Sequence, residues 1–409
     1  MSKEVDKPPW SRRLADGFAR WGSFALFVVG LALLVGTLGI EDSVHVAAED
    51  SEKEAFQVAS AEVSAVRRFR FDYEVEIPAR EANSGAMNVF LPLAEDTNAQ
   101  RILDLKIDSP VSGKIAKESK HGNTFWHAEL PADAVESFSV KISYEVERRI
   151  LRAGAETGNF EDAARFLTEN DRVVVGHSVL DPILKEIRSA SPGANPSRRA
   201  RAIYDWVVDN VEYKKTGTGW GNGDTFWACN ERYGNCTDFH SLFISLARTE
   251  GIPARFEMGF PVPTDRESGE ISGYHCWVEF WLPEAGWVPI DASEASKYPE
   301  KRELFYGMHP ADRLHFSTGR DLRLGEKHQG RPLNYFIYPY IEIDGKRSRL
   351  EIETRFRYED RPPVSNPLAY AEPVEPRAYA SRGPTQSRGP TQSRGPTQSR
   401  EPTQRKRRR

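Results

Sequence analysis

Cysteine is scarce in this chain. Three cysteines in 409 residues, at 229, 236 and 276, are too few for a disulfide framework, and no C-x-x-C pair suggests a zinc finger. At least one thiol must be left over. The chain also lacks a large excess of either charge, with 56 basic against 60 acidic side chains and a net of −4. That balance hides an asymmetry. Residues 381–409 hold eight Arg, one Lys and one Glu, and removing this +8 from the net of −4 leaves −12 on the rest. An acidic body is a poor nucleic-acid surface, so no specific nucleic-acid partner is expected. Apolar residues at 39% and nine Trp supply material for a packed core, which excludes a chain disordered throughout. The length fits two to three domains.

The ends differ from the middle. Residues 21–40 (WGSFALFVVGLALLVGTLGI) carry no charge, and about twenty such residues cross a bilayer as a helix. Lys3, Lys7, Arg12, Arg13 and Arg20 precede the run, and Glu41, Asp42, Glu49 and Asp50 follow it. Basic flanks stay inside. The expectation is therefore a cytoplasmic flank at 1–20, a transmembrane anchor or signal sequence at 21–40, a linker at 41–65, and export of the remainder to the cell envelope. An uncleaved anchor is preferred, because a signal peptide's apolar region is usually shorter; Val46-Ala47-Ala48 is the alternative cleavage site. At the other end, 361–380 is a Pro-rich linker. The hexad SRGPTQ repeats three times from Ser381, then as SREPTQ, and RKRRR closes the chain. With no apolar residue after Ala380, residues 381–409 read as a disordered basic tail. It is either an electrostatic tether to an anionic envelope polymer or lipid, or a solvated extension.

Residues 66–150 read as all β. Phe69, Phe71, Tyr73, Val75 and Ile77 alternate with charged residues, the pattern of a strand with one wet face. Short runs at 88–91, 102–107, 124–130 and 138–146 follow, which suggests a β-sandwich-like domain. No chemical cluster lies within it.

From about 170 the period changes. Asn195-Pro196 is a helix start, followed by Ile203, Trp206, Val207 and Val211 at helical spacing. The Gly-rich stretch 217–223 lacks a P-loop ending and reads as a loop beside a site. A second helix is predicted from Thr237 to Glu250, ended by Gly251, with a stripe of Phe239, Leu242, Phe243 and Leu246. Cys236 then sits at its N-terminal edge, where the helix dipole favours thiolate. Residues 274–281 and 287–291 read as a hairpin. Pairing Trp281 with Trp287, Phe280 with Val288 and Val278 with Ile290 gives one apolar face that includes Cys276. The opposite face carries His275, Trp277, Glu279 and Asp291, with His275 and Asp291 within side-chain reach. A thiol at a helix start, with His and Asp adjacent across a hairpin, has the parts of a triad. The Cys236 amide supplies one oxyanion donor; Trp220 is the candidate for the second.

These pieces, YGNCTDFHSLFISLARTEGIPARF at 233–256, GYHCWVEFW at 273–281 and GWVPID at 286–291, resemble the transglutaminase-like superfamily, its bacterial members more than the animal cross-linking enzymes. The resemblance is firm over 195–295 and looser from 66 to 358, where Asp344-Gly345 marks a hairpin turn between IYPYIEI and SRLEIETRFRY. It implies an α+β, papain-like domain at 170–360 with a C-terminal β extension. Cys236 would be the nucleophile, His275 the base and Asp291 the third member. No cofactor and no metal are implied. The expected function is hydrolysis of peptide or protein amide bonds through an acyl-thioenzyme, as a peptidase or amidase. The alternatives are cross-linking, with an amine as acceptor, and a non-catalytic module binding peptide or cell wall. A metal site of Cys229, Cys236, His240, His275 and Cys276 is disfavoured, because His275 and Cys276 point to opposite strand faces. A Cys229–Cys276 bridge stays open as the alternative to three unpaired thiols.

Overall fold

The computed structural model describes residues 66–81 and 84–362. The expected apolar span 21–40, both flanking segments, the hexad tail and nearly all of the Pro-rich linker lie outside the described residues. No helix among the described residues is long and apolar enough to cross a membrane.

Three larger sheets and a helical group make a mixed α/β architecture with a β-rich N-terminal region. The first strands are β1 Val66–Ile77, β2 Met87–Pro92, β3 Gln100–Asp108, β4 Lys114–Lys117, β5 Thr124–Leu130 and β6 Phe138–Arg149. Helices α1 Asp181–Ala190, α2 Pro196–Asn210, α3 Thr225–Glu231 and α4 Cys236–Thr249 follow. Then come β7 Ala254–Pro261, β8 Ser268–Glu270, β9 His275–Leu282, β10 Gly286–Ile290, the short helix α5 Ala292–Lys297, and β11 Arg313–Thr318. The chain's described part ends in β12 Tyr340–Ile343, β13 Lys346–Arg347 and β14 Glu353–Arg361.

The alternation expected in β1 is present: Phe69, Phe71, Tyr73, Val75 and Ile77 are buried and the residues between them are not. β1 lies at the centre of a sheet ordered β8-β14-β1-β6-β3, and a second sheet runs β13-β12-β2-β5-β4. Both therefore mix strands from before residue 150 with strands from after residue 260. Val89, Leu91, Trp126 and Ala128 of the second sheet join the β1 aromatics in one apolar core.

The Asp344-Gly345 turn forms as read, with φ of 48° and 69°, the left-handed pair a tight hairpin needs. Its second arm does not continue as expected. β13 pairs with β12 for two residues only, and β14 crosses to the other sheet to pair with β1. Aromatic burial accounts for the crossover. Phe356 stacks on Tyr73 at 4.8 Å and meets Phe260 at 4.2 Å between ring centroids, contacts unavailable had the arm stayed beside β12.

The third sheet, β10-β9-β7-β11, carries the helical group. α2 starts as predicted, with the Asn195 side chain capping the Arg198 amide at 2.9 Å. α4 departs from its predicted surface stripe: every residue from Cys236 to Arg248 is buried. It is enclosed by α2, α3, α5, β7 and β9. Each large apolar side chain so enclosed contributes about 1.5–3 kcal/mol. Burying the polar side requires partners, and they are present. Ser245 Oγ meets Thr225 Oγ1 at 2.6 Å, Arg320 donates to Ser241 Oγ at 2.7 Å, and Arg248 donates to the carbonyls of Ala254 and Thr168.

Candidate active site

Cys236 is the first residue of α4 and is 3% exposed. Asn235 caps the helix: its side chain accepts from the Thr237 amide at 2.9 Å, and its own amide donates to Asp238 Oδ2 at 3.0 Å. The Asn235 carbonyl takes the amides of Asp238 and Phe239. None of these bonds uses the Cys236 amide, which therefore points out of the helix end where an oxyanion would sit.

The hairpin forms in the register read from the sequence, with Val278 opposite Ile290, Phe280 opposite Val288 and Trp281 opposite Trp287. It brings His275 Nε2 to 2.6 Å from Asp291 Oδ2, inside the core. Asp291 is fully buried and carries more than the histidine. Its Oδ1 accepts from Ser293 Oγ and from the Glu294 amide, both at 3.0 Å, which caps α5. Arg313 donates to its Oδ2 at 3.2 Å, and His240 Nε2 stands 3.5 Å from its Oδ1.

Cys276 departs from expectation. Alternation does turn it away from His275 and toward α4, where its Sγ lies 3.5 Å from His240 Nδ1 and 3.8 Å from Thr237 Oγ1. Yet the Cys236 thiol has both Cys276 and His275 as hydrogen-bonding neighbours. His275 and Cys276 are the first two residues of β9, and a group lying off a strand's end reaches side chains on both faces. Five buried groups thus close a ring: Cys236, His275, Asp291, His240, Cys276 and back to Cys236.

The ring divides charge unevenly. The hydrogen bond from Cys276, opposed by burial and aided by His275, holds the Cys236 thiol well below its usual range. Burial opposes charge on His275, but Asp291 and Cys236 raise it to about 10. Burial, and then the neighbouring Cys236, push Cys276 well up. Burial lowers His240 to about 4. The resting state is therefore a Cys236 thiolate against a His275 imidazolium, with Cys276 a neutral thiol and His240 a neutral ring. All three cysteines are free, and burial raises Cys229, on α3, to about 11. Among the described residues no group of three or more His, Cys, Asp and Glu side chains is arranged to hold a metal ion.

Sequence reasoning missed Asp238. Its buried carboxylate accepts the amides of Gly221 at 2.6 Å, Gly223 at 3.0 Å and Asn235 at 3.0 Å. It thereby ties the Gly-rich loop to the helix start that holds Cys236. A Cβ on Gly234 would collide with this carboxylate, which accounts for the Gly-x-Cys pattern. The Asn-x-x-Asp spacing of a capping box was the available signal. Arg320, 2% exposed, holds the same loop through the carbonyls of Gly223 and Asn222, each at 2.9 Å. Tyr274 was also missed; its hydroxyl accepts from Asn235 Nδ2 at 3.1 Å and meets Thr237 Oγ1 at 2.9 Å. Trp220, the expected second oxyanion donor, gives its indole N–H to the Gly217 carbonyl at 3.1 Å. Trp277, Trp281 and Trp287 are buried rather than open to a ligand. Trp281 and Trp287 pack with Ala163 and Phe166, and Trp277 stands between His275, His309 and His315.

Comparison with known proteins agrees with this geometry. An uncharacterized protein of Haemophilus influenzae is 24% identical over 332 residues, spanning 71% of this chain and 89% of its own. The uncharacterized protein YebA of Bacillus subtilis is 32% identical over 77 residues, 17% of this chain and 10% of its own. Among solved structures, a proposed cysteine protease from Cytophaga hutchinsonii is 17% identical, covers 73% of this chain and 99% of its own, and superposes with a TM-score of 0.47. Residues 185–292, which hold Cys236, His275 and Asp291, match the family model of the transglutaminase-like superfamily, and this part of the chain belongs to that superfamily.

Proposed function

We propose that this chain is a cysteine enzyme of the cell envelope that cleaves amide bonds of peptides or proteins through an acyl-thioenzyme, with water as acceptor. One observation carries the reading: a buried thiol at a helix N-terminus neighbours a histidine whose far nitrogen is bound to a buried carboxylate at 2.6 Å. Cys236 attacks the carbonyl as a thiolate. His275, already protonated, gives its proton to the departing amine and then takes one from the incoming water. Asp291 fixes the imidazole and stabilises its charge without taking the proton itself. The Cys236 amide and the α4 dipole face the oxyanion. Envelope location belongs to the same proposal and rests on the charge asymmetry around 21–40; so does a tethering role for the basic tail.

The test is to trap Cys236 with an acyl-type electrophile in competition with candidate peptides, peptidoglycan fragments and amines. A competing peptide that is released shortened supports hydrolysis, and an amine found joined to the acyl group moves the reading to cross-linking. Labelling that persists in Cys236→Ala would refute the assignment.

A further inference from the structure

Two thiols meet at this site, and the proposed chemistry uses only one. Cys276 is fully buried. Its neighbours are the Cys236 thiol, Thr237 Oγ1 at 3.8 Å and His240 Nδ1 at 3.5 Å. His240 is itself fully buried, with Nε2 lacking a hydrogen-bond partner, and it takes no part in the acyl-transfer path. Cys229, the remaining thiol, is on α3 and has neither neighbour.

We propose that the Cys236–Cys276 pair is an oxidation site for a small hydroperoxide, with Cys236 the attacking and Cys276 the resolving thiol. In the first step the Cys236 thiolate attacks the outer peroxide oxygen. An S–O bond forms, the O–O bond breaks, and the departing hydroxide or alkoxide takes the His275 imidazolium proton. Cys236 is then a sulfenic acid and His275 is neutral. In the second step His240 Nδ1 takes the Cys276 proton, and the Cys276 sulfur attacks the Cys236 sulfur. The S–S bond forms and the S–O bond breaks. The hydroxide leaves with the proton that His240 held, as water. Two thiols and one hydroperoxide become one disulfide, one water and one further water or alcohol; the sulfurs lose two electrons and the peroxide gains them.

The two arms of the ring suit these roles. The attacking sulfur must be a thiolate at rest, and the helix start, Cys276 and His275 keep Cys236 in that form. The resolving sulfur must stay protonated until needed and must have a base at hand, and neutral His240 supplies one. Closure masks the nucleophile and stops further oxidation to sulfinic acid; an external thiol restores it by exchange. The inference shares with the proposed function only the thiolate state of Cys236.

The full chain is treated with stoichiometric hydrogen peroxide, denatured in an alkylating agent, and analysed by intact mass and peptide mapping. The expected result is a fall from three free thiols to one, Cys229, with a Cys236–Cys276 linked peptide that a dithiol reverses. Cys276→Ser should instead accumulate oxygen adducts on Cys236 and should lose activity irreversibly. His240→Gln should slow closure by about 10²-fold or more. Three thiols persisting after peroxide, in protein whose Cys236 is still trapped by the acyl electrophile, overturns this proposal and leaves the enzyme reading intact. Failure of Cys236 to react with either reagent overturns both. Irreversible oxidation of wild type as fast as Cys276→Ser also refutes the resolving role.

Discussion

Asp291→Ala should behave first as a folding mutation and only then as a catalytic one. The carboxylate caps α5 through Glu294 and Ser293, and loss of a cap costs about 1 kcal/mol. It is also the buried counter-charge of Arg313 and His275, and removing one partner of a buried pair costs about 3–5 kcal/mol. Arg313 keeps Asp312 at 3.3 Å, which places the loss toward the lower end. A total of roughly 4–5 kcal/mol is a large part of the about 5–15 kcal/mol that holds a domain folded. Asp291→Asn separates the effects. Asn caps as well as Asp, so the cap term vanishes. Its amide would donate to His275 Nε2 and reverse the tautomer, a change that costs about 10⁴-fold in a serine triad. Urea midpoints should thus rank wild type, then Asn, then Ala. Alkylation of Cys236 at about pH 5.5, where an imidazolium partner matters most, should fail in both variants. A wild-type urea midpoint for Ala would show that the buried carboxylate does not hold this region together. Rapid low-pH alkylation of a folded Asn variant would show that Asp291 is not what keeps His275 charged.

Cys236 is lowered and His275 raised to about 10, so the thiolate survives as pH falls and its imidazolium partner is lost only as pH rises toward 10. The alkylation rate should change less than about threefold between pH 5.5 and 7.5, where an ordinary thiol slows about 100-fold; stopped-flow labelling in that range decides it. Cys276→Ala removes a hydrogen bond to a charged sulfur, worth about 1.5–3 kcal/mol, and should move the lower limb of that profile up by roughly one to two pH units. Asp238→Ala strands three buried amides and should cost about 3 kcal/mol or more; an unchanged urea midpoint contradicts the loop-clamp role. Ending the chain before β14 should abolish folding, whereas deleting 381–409 should leave the urea midpoint and Cys236 labelling unchanged.

Some of this site was open to sequence reading because packing and chemistry point the same way. In the β9–β10 hairpin a one-residue slip would expose Val278, Phe280, Val288 and Ile290, so the apolar pattern alone fixes where His275 and Asp291 meet. The start of α2 was legible because capping chemistry is local. Cys276 was not. Alternation assigns a face, but it does not say what lies off the end of a strand, and that is where Cys236 is placed. The burial of α4 on all sides was hidden for a related reason. Its Ser241, Ser245 and Arg248 look like a solvent face until Thr225, Arg320 and Ala254 arrive from distant segments to satisfy them. The place of β14 depends on a pairing with the opposite end of the described chain, which no local pattern encodes.

That pairing sets a timetable for the molecule. Arg68 of β1 faces Glu147 of β6 on one side and Arg361 of β14 on the other. The first partner is roughly 80 residues away and the second roughly 290, and loops that long delay folding. As the chain is made, β1 gains one neighbour early and keeps its other edge open until almost the last described residue has emerged. An open edge is a template for any strand that comes near. The nascent protein is therefore most vulnerable to mispairing along β1, and a helper that shields it would have to hold that edge until synthesis is nearly complete.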